Sequence, residues 1–252
     1  MSCLLQLCFL LCGATTFAKG DIQANFTSDL GRGNSPYDYE HRRNTQYEEG
    51  VPQWDLLPGE LDFKAFDEIR FDRYLTSDTN PAFKRRIPWL YPHDGCSMRA
   101  QLFMERITYY LRNKYPSMKW DEPHKHFVFG DLTVNITENY KVQWWYHAAL
   151  IIRLRDEKLY ILDPALSANP IEKDSWYKLM TAYPISTITG YVTCESLTYT
   201  PFDDCFNPDR IDGNILERDI ETYLNAEWNW QEGIGRDPAD VLGANRKYYL
   251  QG

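Results

Sequence analysis

The segment WWYHAALIIRLRDEKLYILDP, residues 144–164, decides the fold of this chain. Two apolar runs, at residues 142–154 and 159–163, are rich in strand-forming side chains. The polar triplet Arg-Asp-Glu at 155–157 separates them. This pattern predicts a β-hairpin.

The length of the hairpin loop decides which side chains share a face. If the loop is the polar triplet alone, Leu154 pairs with Lys158. Asp163 then lies opposite Ala149, on the same face as His147. A two-residue loop would place His147 and Asp163 on opposite faces, because side chains alternate along a strand. We therefore predict a loop with an odd number of residues.

The surrounding chain predicts an α+β fold with a mainly antiparallel sheet packed with helices. Residues 126–134 form another strand-like run. Residues 97–113 repeat apolar side chains at intervals of three and four, which predicts a helix after the turn at 92–95. Residues 215–230 show a second amphipathic pattern of this kind.

Charge and composition exclude some classes of function. The 252-residue chain has 36 acidic and 27 basic side chains, a formal net charge of -9. A nucleic-acid-binding protein would carry a basic surface instead. Hydrophobic residues make up 43% of the chain and charged residues 25%, which is typical of a globular protein.

The N-terminal region predicts export. Residues 1–18 include an uncharged, largely apolar stretch that ends in Thr-Phe-Ala and predict a secretory signal peptide. Residues 19–80 predict an N-terminal extension or short pro-segment, and residues 81–252 a catalytic domain. We therefore expect a secreted protein, extracellular or periplasmic, without a membrane anchor after signal removal.

The six cysteines divide by position. Three lie within residues 1–18 and would be lost with the signal peptide. Cys194 and Cys205 bound a short loop and are candidates for a disulfide in an oxidising compartment, although two unpaired thiols remain an alternative. Cys96 is then the single remaining thiol.

Cys96, His147 and Asp163 are the candidate catalytic residues. The N-terminal end of a helix favours the thiolate through its dipole and free amide groups. An imidazole can accept the thiol proton and later donate it to a leaving group. A carboxylate on the other ring nitrogen fixes the tautomer and stabilises the imidazolium. Each residue also has a structural explanation: a buried thiol, a core histidine and a turn-forming aspartate.

Other side chains offer weaker alternatives. His93 is a rival base, but its Tyr-Pro-His-Asp turn favours a surface position. His124 and His126 would share one face of an extended segment, yet no third metal ligand is evident, so a polar strand edge explains them better. Next to His147, Trp145 and Tyr146 are candidates for lining the substrate groove.

The motifs DGCSMRA at 94–100, WWYHAA at 144–149 and LDP at 162–164 resemble the bacterial protein-glutaminase family. The resemblance covers about residues 85–205. It implies a core similar to the transglutaminase and cysteine-protease fold, with Cys96 as nucleophile, His147 as base and acid and Asp163 as the orienting carboxylate. It further implies deamidation of protein-bound glutamine through a thioester, without a cofactor. We expect a monomer that acts on proteins or peptides.

Three other functions stay open. A transglutaminase would share the thioester and pass the acyl group to lysine. A cysteine protease would use the same residues on a backbone amide. A non-enzymatic exported interaction module would use the aromatic side chains as a binding face.

Overall fold

A computed structural model describes residues 48–61, 87–137, 140–167 and 169–242. The predicted signal peptide lies outside the described residues, as does the predicted extension except for residues 48–61. Within the described ranges, no helix combines the length and the apolar character needed to cross a bilayer.

One antiparallel sheet organises the described chain, with strand order β4-β3-β2-β1-β5. The strands are β1 (His124–Thr137), β2 (Tyr140–Arg153), β3 (Leu159–Leu162), β4 (Ile171–Glu172) and β5 (Thr187–Cys194). The helices are α1 (Cys96–Lys114), α2 (Lys173–Met180), α3 (Gly213–Gly233) and α4 (Pro238–Leu242), preceded by a 3-10 turn at Glu48–Gly50. The predicted α+β class with an antiparallel sheet and packed helices is confirmed.

The β2–β3 hairpin has the predicted register. Leu150 pairs with Leu162, and the Leu154 N–H donates to the Lys158 carbonyl at 3.1 Å. The loop is therefore the three-residue polar triplet. Its last residue, Glu157, has a left-handed φ of 66°, as three-residue hairpin loops commonly require.

The alternation of side chains along β2 divides the core between two layers. Leu150 and Ile152 face α1 and pack in one cluster with its buried side chains, among them Met98, Leu102, Phe103 and Ile107. Ala149 and Ile151 face the opposite side and pack in a second cluster with Trp176 and Met180 of α2. The sheet thus separates α1 from α2, as expected for a strand that is apolar on both faces.

Helix α1 extends the predicted helix by one residue at each end. Its apolar side chains recur at helical spacing and are buried against the sheet and α3. The Tyr115 N–H donates to the Leu111 carbonyl in the last turn, and Pro116 follows, where the ring cannot continue a helix. Cys96 is the first residue of this helix, which agrees with the prediction that it lies at or near the first turn.

Strand β1 is central, which corrects the interpretation of His124 and His126 as a polar strand edge. It pairs with β2 on one side and β5 on the other. His126 is fully buried and hydrogen-bonds to Thr193 and Tyr177. A short sequence pattern cannot show how many neighbours a strand will have, because those neighbours come from distant parts of the chain.

Residues 51–61 of the predicted extension pack into the core. The Trp54 N–H donates to the Arg153 carbonyl at 2.8 Å, and the Arg153 N–H donates to the Pro52 carbonyl at 3.0 Å. Trp54 and Leu61 are both buried in the α1 cluster. This described part of the predicted extension therefore belongs to the same packed unit as the sheet.

Candidate active site

The start of α1 presents Cys96 in a preorganised position. Gly95, just before it, has a left-handed φ of 81°, and a Cβ there would lie 3.1 Å from the Tyr223 ring. Glycine therefore suits this position both in conformation and in space. Because Gly95 has no side chain to cap the helix, the first-turn amides of α1 are available to an oxyanion.

The β2–β3 register brings His147 and Asp163 together. The His147 Nε2–H donates to Asp163 Oδ2 at 2.8 Å, and both side chains are buried. Burial alone would lower the pKa of His147, but the Asp163 charge and hydrogen bond, together with Cys96, raise it to about 9. The imidazolium is thus the favoured form at neutral pH.

Asp163 stays ionised although it is buried. Burial would raise its pKa, yet the His147 charge and the hydrogen bonds from His147 and Trp176 hold it below the ordinary value. Arg99 adds a smaller favourable charge. The pair is therefore a buried, satisfied ion pair, which would be costly to break on one side only.

The third candidate, Cys96, lies within electrostatic reach of this pair, since it contributes to the raised pKa of His147. With Nε2 bonded to Asp163, the ring nitrogen left for proton exchange with the thiol is Nδ1. Cys96 is also the one free cysteine of the described residues, and it is buried. The arrangement can support attack by a thiolate with proton transfer by His147.

Cys194 and Cys205 form the predicted disulfide. They pack in one cluster with Cys96, and Tyr146 packs against that cluster. The Tyr146 hydroxyl lies 3.4 Å from the Ser97 hydroxyl. Burial and then the nearby Cys96 hold the pKa of Tyr146 well above its usual range, so the phenol stays neutral.

Trp145 lies at the surface beside Tyr146. Its side chain is 42% exposed, and its ring centroid lies 5.8 Å from that of Phe202, within the disulfide-closed loop. Of the two residues predicted to line a groove, Tyr146 packs against the Cys96 cluster, and Trp145 lies next to Tyr146 and is exposed.

The rival base is not part of this arrangement. His93 Nε2 hydrogen-bonds to the Tyr140 hydroxyl at 2.7 Å, and its ring packs against Trp230. Burial lowers its pKa. His93 is half-buried rather than at the surface, because α3 supplies an aromatic neighbour that the local sequence could not reveal. Among the described residues, no cluster of three or more His, Cys, Asp or Glu side chains could hold a metal ion.

Two tryptophans next to His147 complete the site. Trp144 stacks on the imidazole with centroids 4.5 Å apart and planes 11° apart. Trp176, on α2, donates its indole N–H to Asp163 Oδ2 at 2.9 Å. The local sequence does not predict a role for Trp176, because it shows only a tryptophan within a short amphipathic segment.

A cavity of about 480 Å³ lies on another side of Trp144. Its lining includes Arg99, Ala165 and Trp230, but none of Cys96, His147 and Asp163.

Comparison with known proteins gives one family and several similar folds. Residues 63–180 match the family model described as Glutaminase. Three similar solved structures are a protein-glutaminase crystal structure, the protein-glutaminase from Chryseobacterium proteolyticum and a pro-protein-glutaminase, at 21%, 23% and 20% identity. They cover 69%, 64% and 77% of this chain and 86%, 82% and 68% of their own, with TM-scores of 0.47, 0.47 and 0.49. No curated protein matches the chain.

Proposed function

We propose that this chain, whose residues 63–180 match the family model described as Glutaminase, is a protein-glutamine deamidase with Cys96, His147 and Asp163 as its catalytic residues. The observation that carries the proposal is the 2.8 Å bond from His147 to Asp163, with the free thiol of Cys96 at the adjoining helix start. All three residues lie within the matched region.

The first half of the reaction forms a thioester. The Cys96 thiolate attacks the side-chain carbonyl carbon of glutamine, and the negative charge that develops on oxygen is stabilised by the first-turn amides of α1. His147 then donates its proton to the amide nitrogen. The C–N bond breaks, ammonia leaves, and the acyl group remains on sulfur.

The second half consumes one water. Neutral His147 accepts a proton from water, whose oxygen attacks the thioester carbon. The C–S bond breaks, the thiolate and imidazolium are restored, and the product leaves as a glutamic acid side chain that loses its remaining proton to solvent and becomes glutamate. Asp163 keeps the ring in one tautomer through both halves. The raised pKa of His147 matches this cycle, because the acid that ammonia requires is already protonated at neutral pH.

Protein-bound glutamine is the proposed substrate. The exposed Trp145 and its neighbour Phe202 offer aromatic surface to a polypeptide. Tyr146 lies next to Trp145 and packs against the cluster that holds Cys96, so a polypeptide on this aromatic surface would lie along the proposed substrate groove. The similar solved structures are of protein-glutaminases, and we extend that substrate class to this chain as part of the proposal.

Export and domain organisation complete the proposal. Residues 1–18 would direct secretion and be removed, and the enzyme would act as a monomer on extracellular or periplasmic proteins. The Cys194–Cys205 disulfide supports an oxidising compartment. Residues 19–80 would form the extension before the catalytic domain at 81–252, with residues 51–61 anchoring it to the core.

The test is incubation with an unfolded glutamine-rich protein. We expect ammonia release and conversion of glutamine to glutamate, detected by peptide mass spectrometry, and loss of both with Cys96→Ser. Ammonia release with crosslinks and without conversion of glutamine to glutamate would show acyl transfer to lysine. New chain termini would show proteolysis. Absence of all three in the wild-type protein would contradict the proposal and favour a binding module.

A further inference from the structure

We propose that Trp176 is a positioning residue for the reaction: its indole N–H holds the Asp163 carboxylate in the orientation that directs His147 toward Cys96. This inference rests on the proposed function, and it adds a residue from α2 to a site otherwise built by α1 and the β2–β3 hairpin.

The hydrogen bonds carry the first part of the argument. Asp163 Oδ2 accepts from His147 Nε2 at 2.8 Å and from Trp176 Nε1 at 2.9 Å. The other carboxylate oxygen accepts the Ala165 N–H at 3.2 Å. Among the described residues, the oxygen that orients His147 thus accepts one further hydrogen bond, from Trp176.

Burial makes this bond hard to replace. Trp176 is 0% exposed and Asp163 is 4% exposed. Water has little access to a carboxylate in this position, so a lost indole donor would leave one acceptor site unsatisfied. The bond from Trp176 is also one of the interactions that hold the pKa of Asp163 below its usual range.

The packing of aromatic rings around His147 also supports a positioning role for Trp176. The His147 ring is nearly parallel to the Trp144 ring. The centroid of the Trp176 ring lies 5.6 Å from that of His147, and the two planes are 33° apart. Trp144 is itself fixed by its Nε1–H, which donates to the Pro92 carbonyl at 2.9 Å. Rotation of the imidazole out of its bond with Asp163 would disturb both indoles. Trp176 therefore restrains the pair through a hydrogen bond and through contact.

Two substitutions at Trp176 separate the donor from the ring. Trp176→Phe removes the N–H and keeps an aromatic side chain. Site-specific 3-benzothienylalanine keeps the bicyclic shape and replaces the N–H with sulfur, so it tests the donor even if the phenylalanine variant folds poorly. Trp54→Phe is the matched control, because Trp54 is also buried and donates to a backbone carbonyl, that of Asp121, at 3.0 Å.

We expect both Trp176 variants to release ammonia about tenfold more slowly than the wild type. The acid limb of the pH profile should move upward by about one pH unit, because the carboxylate loses a donor that favours its charged form. Trp54→Phe should keep the wild-type rate and profile. A merely structural role for Trp176 would change stability and leave the acid limb in place.

A second readout needs no substrate. The rate at which iodoacetamide alkylates Cys96, measured on the tryptic peptide 87–99, should show the same upward shift of its acid limb in the Trp176 variants. Unshifted acid limbs for alkylation in both variants would overturn the inference. If Cys96 of the wild-type protein is alkylated with this pH dependence but no ammonia is released from glutamine, the proposed function fails. The shift of the alkylation profile in the Trp176 variants then decides the role of Trp176 by itself.

Discussion

His126 and His147 lie on neighbouring strands, and their surroundings have opposite effects. Both are buried, and each ring has polar partners. Burial and then the charge of Lys173 lower the pKa of His126 to about 3, whereas Asp163 and Cys96 overcome burial and raise the pKa of His147 to about 9. The difference shows that burial alone does not set the charge state of a histidine. The partner's charge does, because hydroxyl groups cannot compensate an imidazolium as a carboxylate can.

The strongest test of this comparison is Asp163→Asn. We expect ammonia release to fall roughly 10³–10⁴-fold, because the ring loses both its fixed tautomer and its counter-charge. The pKa of His147, followed by NMR, should fall toward that of His126. Asp209→Asn, at an exposed loop position, is the control and should change neither quantity. A His147 pKa that stays near 9 in Asp163→Asn would refute the explanation.

The free energy of unfolding should depend on pH in two opposite ways, one due to His147 and one due to His126. Between pH 6.5 and about 9, folded His147 keeps a proton that the unfolded chain has lost, so its contribution, complete below 6.5, disappears as pH rises. Below pH 6.5, the unfolded chain gains a proton that folded His126 does not bind until about 3, so stability falls as pH falls. Each slope should approach about 1.4 kcal/mol per pH unit.

Denaturant unfolding in a Cys96→Ala background would measure the two slopes without the thiol. Because Cys96 contributes to the raised pKa of His147, the alkaline slope should then end below pH 9. His126→Gln should flatten the acidic slope only. His147→Gln should remove the alkaline slope and also change the acidic limb, because burial then raises the pKa of Asp163. The assignment fails if His126→Gln changes the alkaline limb or if His147→Gln leaves it in place.

Removal of the disulfide should lower the stability of the fold beside His126 and leave the charge state of His147 unchanged. Cys194 follows Thr193, the hydroxyl partner of His126, at the end of β5. Replacing Cys194 and Cys205 together by serine should lower the free energy of unfolding by about 2–3 kcal/mol, because the unfolded chain regains loop freedom. The pKa of His147 should be unchanged. A large shift would show that β5 also holds the His147–Asp163 pair in place.

The smallest expected effect comes from one hydroxyl. Thr193→Val keeps the shape of the side chain and leaves Nδ1 of His126 without its partner at 2.8 Å. We expect a loss of about 1–2 kcal/mol in denaturant unfolding and unchanged ammonia release. Thr187→Val, at an exposed position of the same strand, should have little effect on either. Reduced activity in Thr193→Val would mean that the His126 network supports catalysis.

Local pattern predicted the elements that carry the candidate triad. The alternation in β2 and the polar triplet before β3 predicted the register that brings His147 to Asp163. The helical spacing after Gly95 predicted that Cys96 begins a helix. These predictions succeeded because each depends on residues that are neighbours in sequence, where turn length and side-chain periodicity leave few alternatives.

The missed features come from contacts between distant segments. The position of β1 between β2 and β5 depends on a partner some sixty residues away, which is why His126 was assigned to an edge. His93 was expected at the surface, but Trp230 of α3 covers it. No periodicity in a short segment reports such a neighbour, because the packing energy that selects it arises only when both segments are folded.

By itself, the sequence determined the hairpin, the helix that begins at Cys96 and the isolation of one thiol from a pair that forms a disulfide. Only the tertiary structure decided the electrostatic character of each buried histidine and brought the Trp176 indole to the Asp163 carboxylate. The physical reason is that strand and helix geometry follow from local backbone preferences, whereas a pKa depends on which charges and donors surround a group in space.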